Sequence, residues 1–120
     1  MLAICLCRYG DVLTITLYGD TSMISYEVTL QAQPQLAAGV EQFMIDSHIP
    51  EIFLTGCFRE IRFSQASAGR FRTAYQADTQ ADLDRYVQDH APRLRAEFQE
   101  RFREGVNITR ETWVQREVWR

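Results

Sequence analysis

The chain predicts an α+β fold of the ferredoxin-like type: a four-stranded antiparallel sheet with two helices on one face. Three observations carry that expectation. From Met23 onward, strand-period and helix-period segments follow one another in the order β-α-β-β-α-β. The two middle strands are separated only by Ser67-Ala68-Gly69, a hairpin spacing. Both helical stretches are interrupted by a proline, Pro50 and Pro92, each two residues after a histidine.

Residues 1–22 stand apart from this pattern. Val12 to Tyr18 alternates as a strand would, between Gly10-Asp11 and Gly19-Asp20 as turns. The segment reads as an extra edge strand, as a poorly ordered N-terminal extension, or as the product of a mis-called start ahead of Met23. The last two are favoured, because residues 23–120 make a complete domain without it.

Ile24 to Leu30 is the first strand of that domain, with Ile24, Tyr26, Val28 and Leu30 on one face and Ser25, Glu27 and Thr29 on the other. Pro34 opens a helix whose apolar stripe is Leu36, Val40, Phe43 and Met44. Pro50 disfavours helix at Ile49, so a break is expected over His48-Ile49-Pro50. A short helix then runs to Leu54, and Gly56 supplies the left-handed residue that ends it. Cys57 to Ala66 and Phe71 to Ala77 are the next two strands. Asp78 or Thr79 caps the second helix, whose stripe is Leu83, Tyr86, Val87, His90 or Ala91, Leu94, Phe98 and Phe102. A kink is expected at His90-Ala91 before Pro92. Glu97 and Arg101 are expected to pair at i, i+4 on its outer face. Val106 to Val118 is the last strand, with a shift of pattern near Arg110 to Thr112 that suggests a bulge or a run past the end of the sheet.

A length of 120 residues bounds the chain to one domain, and 46% hydrophobic residues suffice for a core. A net charge of -3 argues against a general nucleic-acid binder. Every basic residue is Arg and none is Lys. That reflects either codon composition or a need for bidentate contacts to carboxylate or phosphate. Cys5, Cys7 and Cys57 form neither a disulfide framework nor a metal-ligand spacing. No apolar run approaches the roughly 20 residues of a membrane span. The Leu2 to Cys7 run lacks the flanks of a signal peptide. A cytoplasmic protein is expected, without membrane or nucleic-acid partners and without a metal or other cofactor.

The sheet face away from the helices should carry Ser25, Glu27, Thr29, Arg62, Ser64, Arg72, Ala74 and Gln76. Two copies packed through this mixed face would enclose a polar cleft. The apolar C-terminal strand with Trp113, Val114, Val118 and Trp119 suggests an interface, so a homodimer is expected. In that cleft Arg62, Arg72, Gln76 and Glu27 are the candidate ligand-binding residues for a small molecule. His48 is the candidate catalytic group, either as a general base or, in the structural alternative, as a hydrogen-bonding partner of a backbone carbonyl freed by Pro50. His90 invites the same structural reading. Arg59, Arg62, Arg93 and Arg95 could clamp an anion if they converge; otherwise they pair on the surface with Glu51, Glu60, Asp82, Asp84, Asp89 and Glu97. Arg93 and Arg95 could also form a protein-interaction surface. Tyr26 and Tyr75 read as core aromatics whose hydroxyls reach the helix layer.

Three stretches carry a resemblance. They are Met23-Ile-Ser-Tyr-Glu-Val-Thr29, His48-Ile-Pro-Glu-Ile-Phe-Leu-Thr-Gly-Cys-Phe58, and Leu83-Asp-Arg-Tyr86 followed by Ala91-Pro-Arg-Leu-Arg95. Over about residues 23 to 118 the chain resembles the domain of unknown function 4286 family of short bacterial proteins. That family is similar to the dimeric α/β-barrel group, which includes cofactor-independent antibiotic-biosynthesis-type monooxygenases and EthD-like proteins. The resemblance implies the fold and a dimer and implies no activity. Two functions are therefore carried forward. One is a dimeric small-molecule-binding or interaction domain. The other is a cofactor-independent enzyme, with His48 as base and Arg62 or Arg72 orienting an anionic substrate.

Overall fold

The computed structural model describes residues 2–9, 12–19 and 23–120, the first two segments by backbone alone. β1 (Leu2–Tyr9) and β2 (Val12–Gly19) pair antiparallel as a two-stranded sheet of their own. The expected turns at Gly10-Asp11 and at Asp20 lie outside the described residues.

The domain follows as β3 (Ile24–Ala32), α1 (Pro34–Phe43), a π-helical turn (Met44–His48), α2 (Ile49–Leu54), β4 (Glu60–Ser67), β5 (Arg70–Ala77), α3 (Gln80–Asp89), α4 (Ala91–Arg101) and β6 (Val106–Val114). The strands form one antiparallel sheet in the order β4-β5-β3-β6. This is the ferredoxin-like arrangement the alternating pattern predicts.

The register sorts every side chain to a face. On β3, Ile24, Tyr26 and Leu30 are buried, while Glu27 and Thr29 are half-buried on the other side. Phe71, Thr73, Tyr75 and Ala77 continue the inner face on β5. The helices cover that face in two adjoining clusters. One joins Ile52, Leu83, Tyr86 and Leu94 to Tyr26 and Tyr75, and the other joins Val40, Met44 and Phe98 to Leu30 and Phe71.

Four local features differ from expectation. The chain does not break at His48-Ile49-Pro50. The Ile49 N–H instead reaches the carbonyl of Met44, five residues back. This wider turn carries the helix past Pro50, which has no N–H to give. Cys57 and Phe58 are buried loop residues, and β4 starts only at Glu60. β6 ends at Val114 and pairs with β3 without interruption from Val106 to Val114, so no bulge interrupts it at Arg110. The sequence pattern shifts there because an arginine occupies an inward position, opposite Val28. Finally, Glu97 pairs with Arg93 at 2.9 Å, and Arg101 lies over the Phe43 ring at 5.4 Å.

Other joints form as the residues dictate. The Thr79 hydroxyl accepts the Asp82 N–H at 3.1 Å and caps α3. His90 leaves helical geometry (φ -123°) between α3 and α4, just ahead of Pro92. Gly56 ends α2 at φ 75°, and Gly69 makes the β4–β5 turn at φ 73°.

Candidate functional site

A pocket opens between the helix layer and the inner face of β3 and β6. It holds about 450 Å³ of empty space counted out to its mouth and narrows to about 40 Å³ of room for water. Its walls come from all layers of the domain: Tyr26, Val28 and Leu30 of β3, Tyr75 of β5, Ile108 and Arg110 of β6, Met44 and His48 of the π-helical turn, Tyr86 of α3, and Arg95, Phe98 and Gln99 of α4.

The floor is aromatic. Tyr26, Tyr75 and Tyr86 form a triangle with ring centroids 5.8, 6.2 and 6.4 Å apart. Burial pushes the acidity of Tyr75 well below that of an ordinary phenol, with Tyr86 beside it adding to the shift. Burial does the same for Tyr86, with Tyr26 adding, while the Arg95 and Arg110 guanidiniums pull the other way. Tyr75 and Tyr86 therefore stay protonated at any physiological pH. The Arg95 Nη2 donates to the Tyr26 hydroxyl at 3.0 Å, so α4 and β3 are tied across the pocket.

His48 ends the π-helical turn with its ring between Phe43 and Phe98, at 5.6 and 5.7 Å. Its Nδ1 is sealed from solvent and has no hydrogen-bond partner among the described residues. Burial holds the imidazole below its ordinary pKa, against the opposing pull of Glu51 and Glu97. At neutral pH it is therefore an uncharged ring. The proposed cap to a carbonyl freed by Pro50 is not formed by Nδ1. His90 stacks on Tyr86 at 6.5 Å.

The structure separates His48 from the other candidate residues. Glu27, Arg62, Arg72 and Gln76 lie on the opposite, uncovered face of the sheet, because they occupy the alternate positions of β3, β4 and β5. There Arg72 approaches Glu27 at 3.8 Å, Arg62 pairs with Glu60 at 2.7 Å, and Gln76 donates to Ser25 at 3.0 Å. An active site joining His48 to Arg62 or Arg72 within one chain is thus not assembled. The arginines of α4 also part company. Arg93 points outward to Glu51 and Glu97 at 3.1 and 2.9 Å, whereas Arg95 turns inward. They do not form one interaction surface. Arg59 and Arg85 pair on the surface with Asp78 and Asp82, as expected of solvated charges.

Arg110 and Tyr86 were not legible as site residues. Tyr86 looked like one more member of an apolar helical stripe. Arg110 carried a signal, a charge at an in-phase position of an apolar alternation, which reads equally as a bulge. Among the described residues, no group of three or more His, Cys, Asp or Glu is placed to hold a metal, and no helix is long and apolar enough to cross a membrane.

Fold and pocket together define a ferredoxin-like α+β protein with an opening between its helices and its sheet. A monooxygenase from Streptomyces coelicolor, solved in complex with nanaomycin D, superposes with TM-score 0.61 at 14% identity, over 83% of this chain and 92% of its own. A protein of unknown function from Nitrosomonas europaea matches with TM-score 0.61 at 13% identity, over 85% and 99%. A conserved protein from Methanosarcina mazei gives 0.59 at 16%, over 81% and 96%. At these identities the likeness is one of fold. In sequence, residues 23–115 match the family described as Domain of unknown function (DUF4286), and the chain belongs to that family. No curated protein matches it.

Proposed function

We propose that this is a cytoplasmic bacterial homodimer that binds a small molecule in the pocket between its helices and its sheet. The observation that carries the reading is the pocket itself. Where a small domain would ordinarily close its core, this one leaves an opening lined by an imidazole, three phenols and two guanidiniums. A buried His48 Nδ1 without a partner is a cost to folding, and such costs gather at functional sites.

The dimer reading rests on the uncovered sheet face. It carries Glu27, Glu60 and Glu111 together with Arg62, Arg70 and Arg72, a mix of both signs that a second copy of the same face could meet. Trp113 stands on the same face with 55% of its surface exposed. Residues 1–22 are proposed as an extension outside the domain, since the family match begins at residue 23. A cytoplasmic location agrees with Cys57, a buried thiol with no disulfide partner among the described residues.

Native mass spectrometry of the full chain from its own host tests both parts. Two chains carrying extra small-molecule mass is the expected result. A single chain overturns the dimer. A bare dimer that also takes up no aromatic probe overturns the binding reading. Trp113→Glu should shift the particle toward one chain by placing a charge in the apolar part of the interface.

A further inference from the structure

We infer that the pocket's ligand carries a carboxylate, held by Arg95 and Arg110, on a small aromatic body. The inference rests on the pocket being a binding site and names what it selects. Among the described residues no Asp or Glu lines the pocket, yet two arginines do. Neither forms an ion pair among the described residues. The contrast with Arg93, two positions before Arg95 on the same helix, is direct. Arg93 engages two carboxylates, Glu51 and Glu97. Those are also the acids that act on His48, so the nearest carboxylates are already occupied.

Both arginines line the same opening as Tyr86, Arg95 from α4 and Arg110 from β6. Arg95 is half-buried and oriented by its bond to Tyr26. Arg110 occupies an inward position of β6, where the alternation of Val106 and Ile108 would place an apolar residue. A chain with net charge -3 thus keeps an uncompensated positive focus over an aromatic floor. Guanidinium forks match a carboxylate in a bidentate manner. The tyrosine rings and Phe98 offer faces for a flat apolar body. The narrow inner room of about 40 Å³ admits a water or two as it stands. A ring therefore sits in the mouth or displaces Met44, a side chain that adapts readily.

The test compares sodium benzoate with benzamide, a neutral molecule of nearly the same shape. Binding to the full chain is followed by NMR shifts of the His48 and Tyr86 ring signals. Benzoate is expected to bind at least tenfold more tightly. The preference should fall to near unity in Arg110→Gln and in Arg95→Gln, and stay intact in Arg103→Gln, an exposed control. Arg110 is itself exposed on an edge strand, so its substitution leaves the fold in place. Equal binding of the two probes at these signals, or a preference that survives both substitutions, overturns the carboxylate inference while the pocket stands as a binding site. No shift with either probe overturns both.

Discussion

Replacing His48 by leucine should make the protein more stable. The imidazole sits between Phe43 and Phe98, and its Nδ1 is shut off from water and from every described partner. A buried polar group in that condition costs about 1–3 kcal/mol. Leucine removes that cost and is the better helix former by a few tenths of a kcal/mol. Against this, contacts with two aromatic rings are lost, worth about 0.5–1.5 kcal/mol each beyond area burial, and leucine recovers part of them through its own dispersion contacts. The balance is a gain of about 1 kcal/mol, which for a domain of this size raises the thermal midpoint by about 4–8 °C. Urea titration and calorimetry of both proteins measure it. The sign is sharpened by pH. Burial depresses the imidazole in the folded chain, with Glu51 and Glu97 opposing. The unfolded chain keeps an ordinary histidine near pH 6.5. As pH falls through that value the unfolded state binds the proton first, so wild-type stability is full above it and declines toward the lower folded pKa. Leucine has no such term. The advantage of His48→Leu should therefore widen between about pH 8 and about pH 5. A variant less stable than wild type by about 1 kcal/mol or more at neutral pH would show that Nδ1 has a partner, and the stability cost assigned to this residue would be wrong.

Three further substitutions probe the scaffold. Leu94→Ala removes a side chain with no exposed surface from the centre of the core and should cost about 2–5 kcal/mol in urea denaturation. Gly69→Ala places a Cβ 2.5 Å from the Ala32 carbonyl oxygen at φ 73°. It should cost upward of about 1 kcal/mol from the left-handed backbone alone, with the β4–β5 amides losing hydrogen-exchange protection first. Thr79→Ala deletes the side-chain cap on α3 and should lower stability by about 1 kcal/mol without moving the pocket signals in NMR.

The alternation of Ile24, Tyr26, Val28 and Leu30, the hairpin glycine at 69 and the helical stripe from Leu83 to Phe98 sufficed to predict the sheet, its hairpin and its helix layer. These are local properties. Period, turn chemistry and capping act over a few residues and can be read from neighbours in the chain. The proline at 50 misled for a physical reason. A break and a π-helical turn both solve its missing N–H, and nothing local to Pro50 decides between them.

The two sheet faces were also implicit in the alternation. Alternation points to ligand-binding residues on the uncovered face, and Glu27, Arg62, Arg72 and Gln76 lie there. Only the tertiary structure shows the second opening, on the covered side. Arg95 and Arg110 are 15 positions apart in sequence and line one pocket because β6 folds back beside β3. Arg93 and Arg95 leave α4 on different sides because two positions span more than half a helical turn, and how that helix is turned against the sheet decides which of them meets a carboxylate and which the pocket. Packing of the whole core sets that rotation. The sequence by itself determined which residues could form the layers, because hydrophobic period is a local code. The tertiary structure alone decided which charges were left without partners, because pairing depends on contacts between segments distant in the chain.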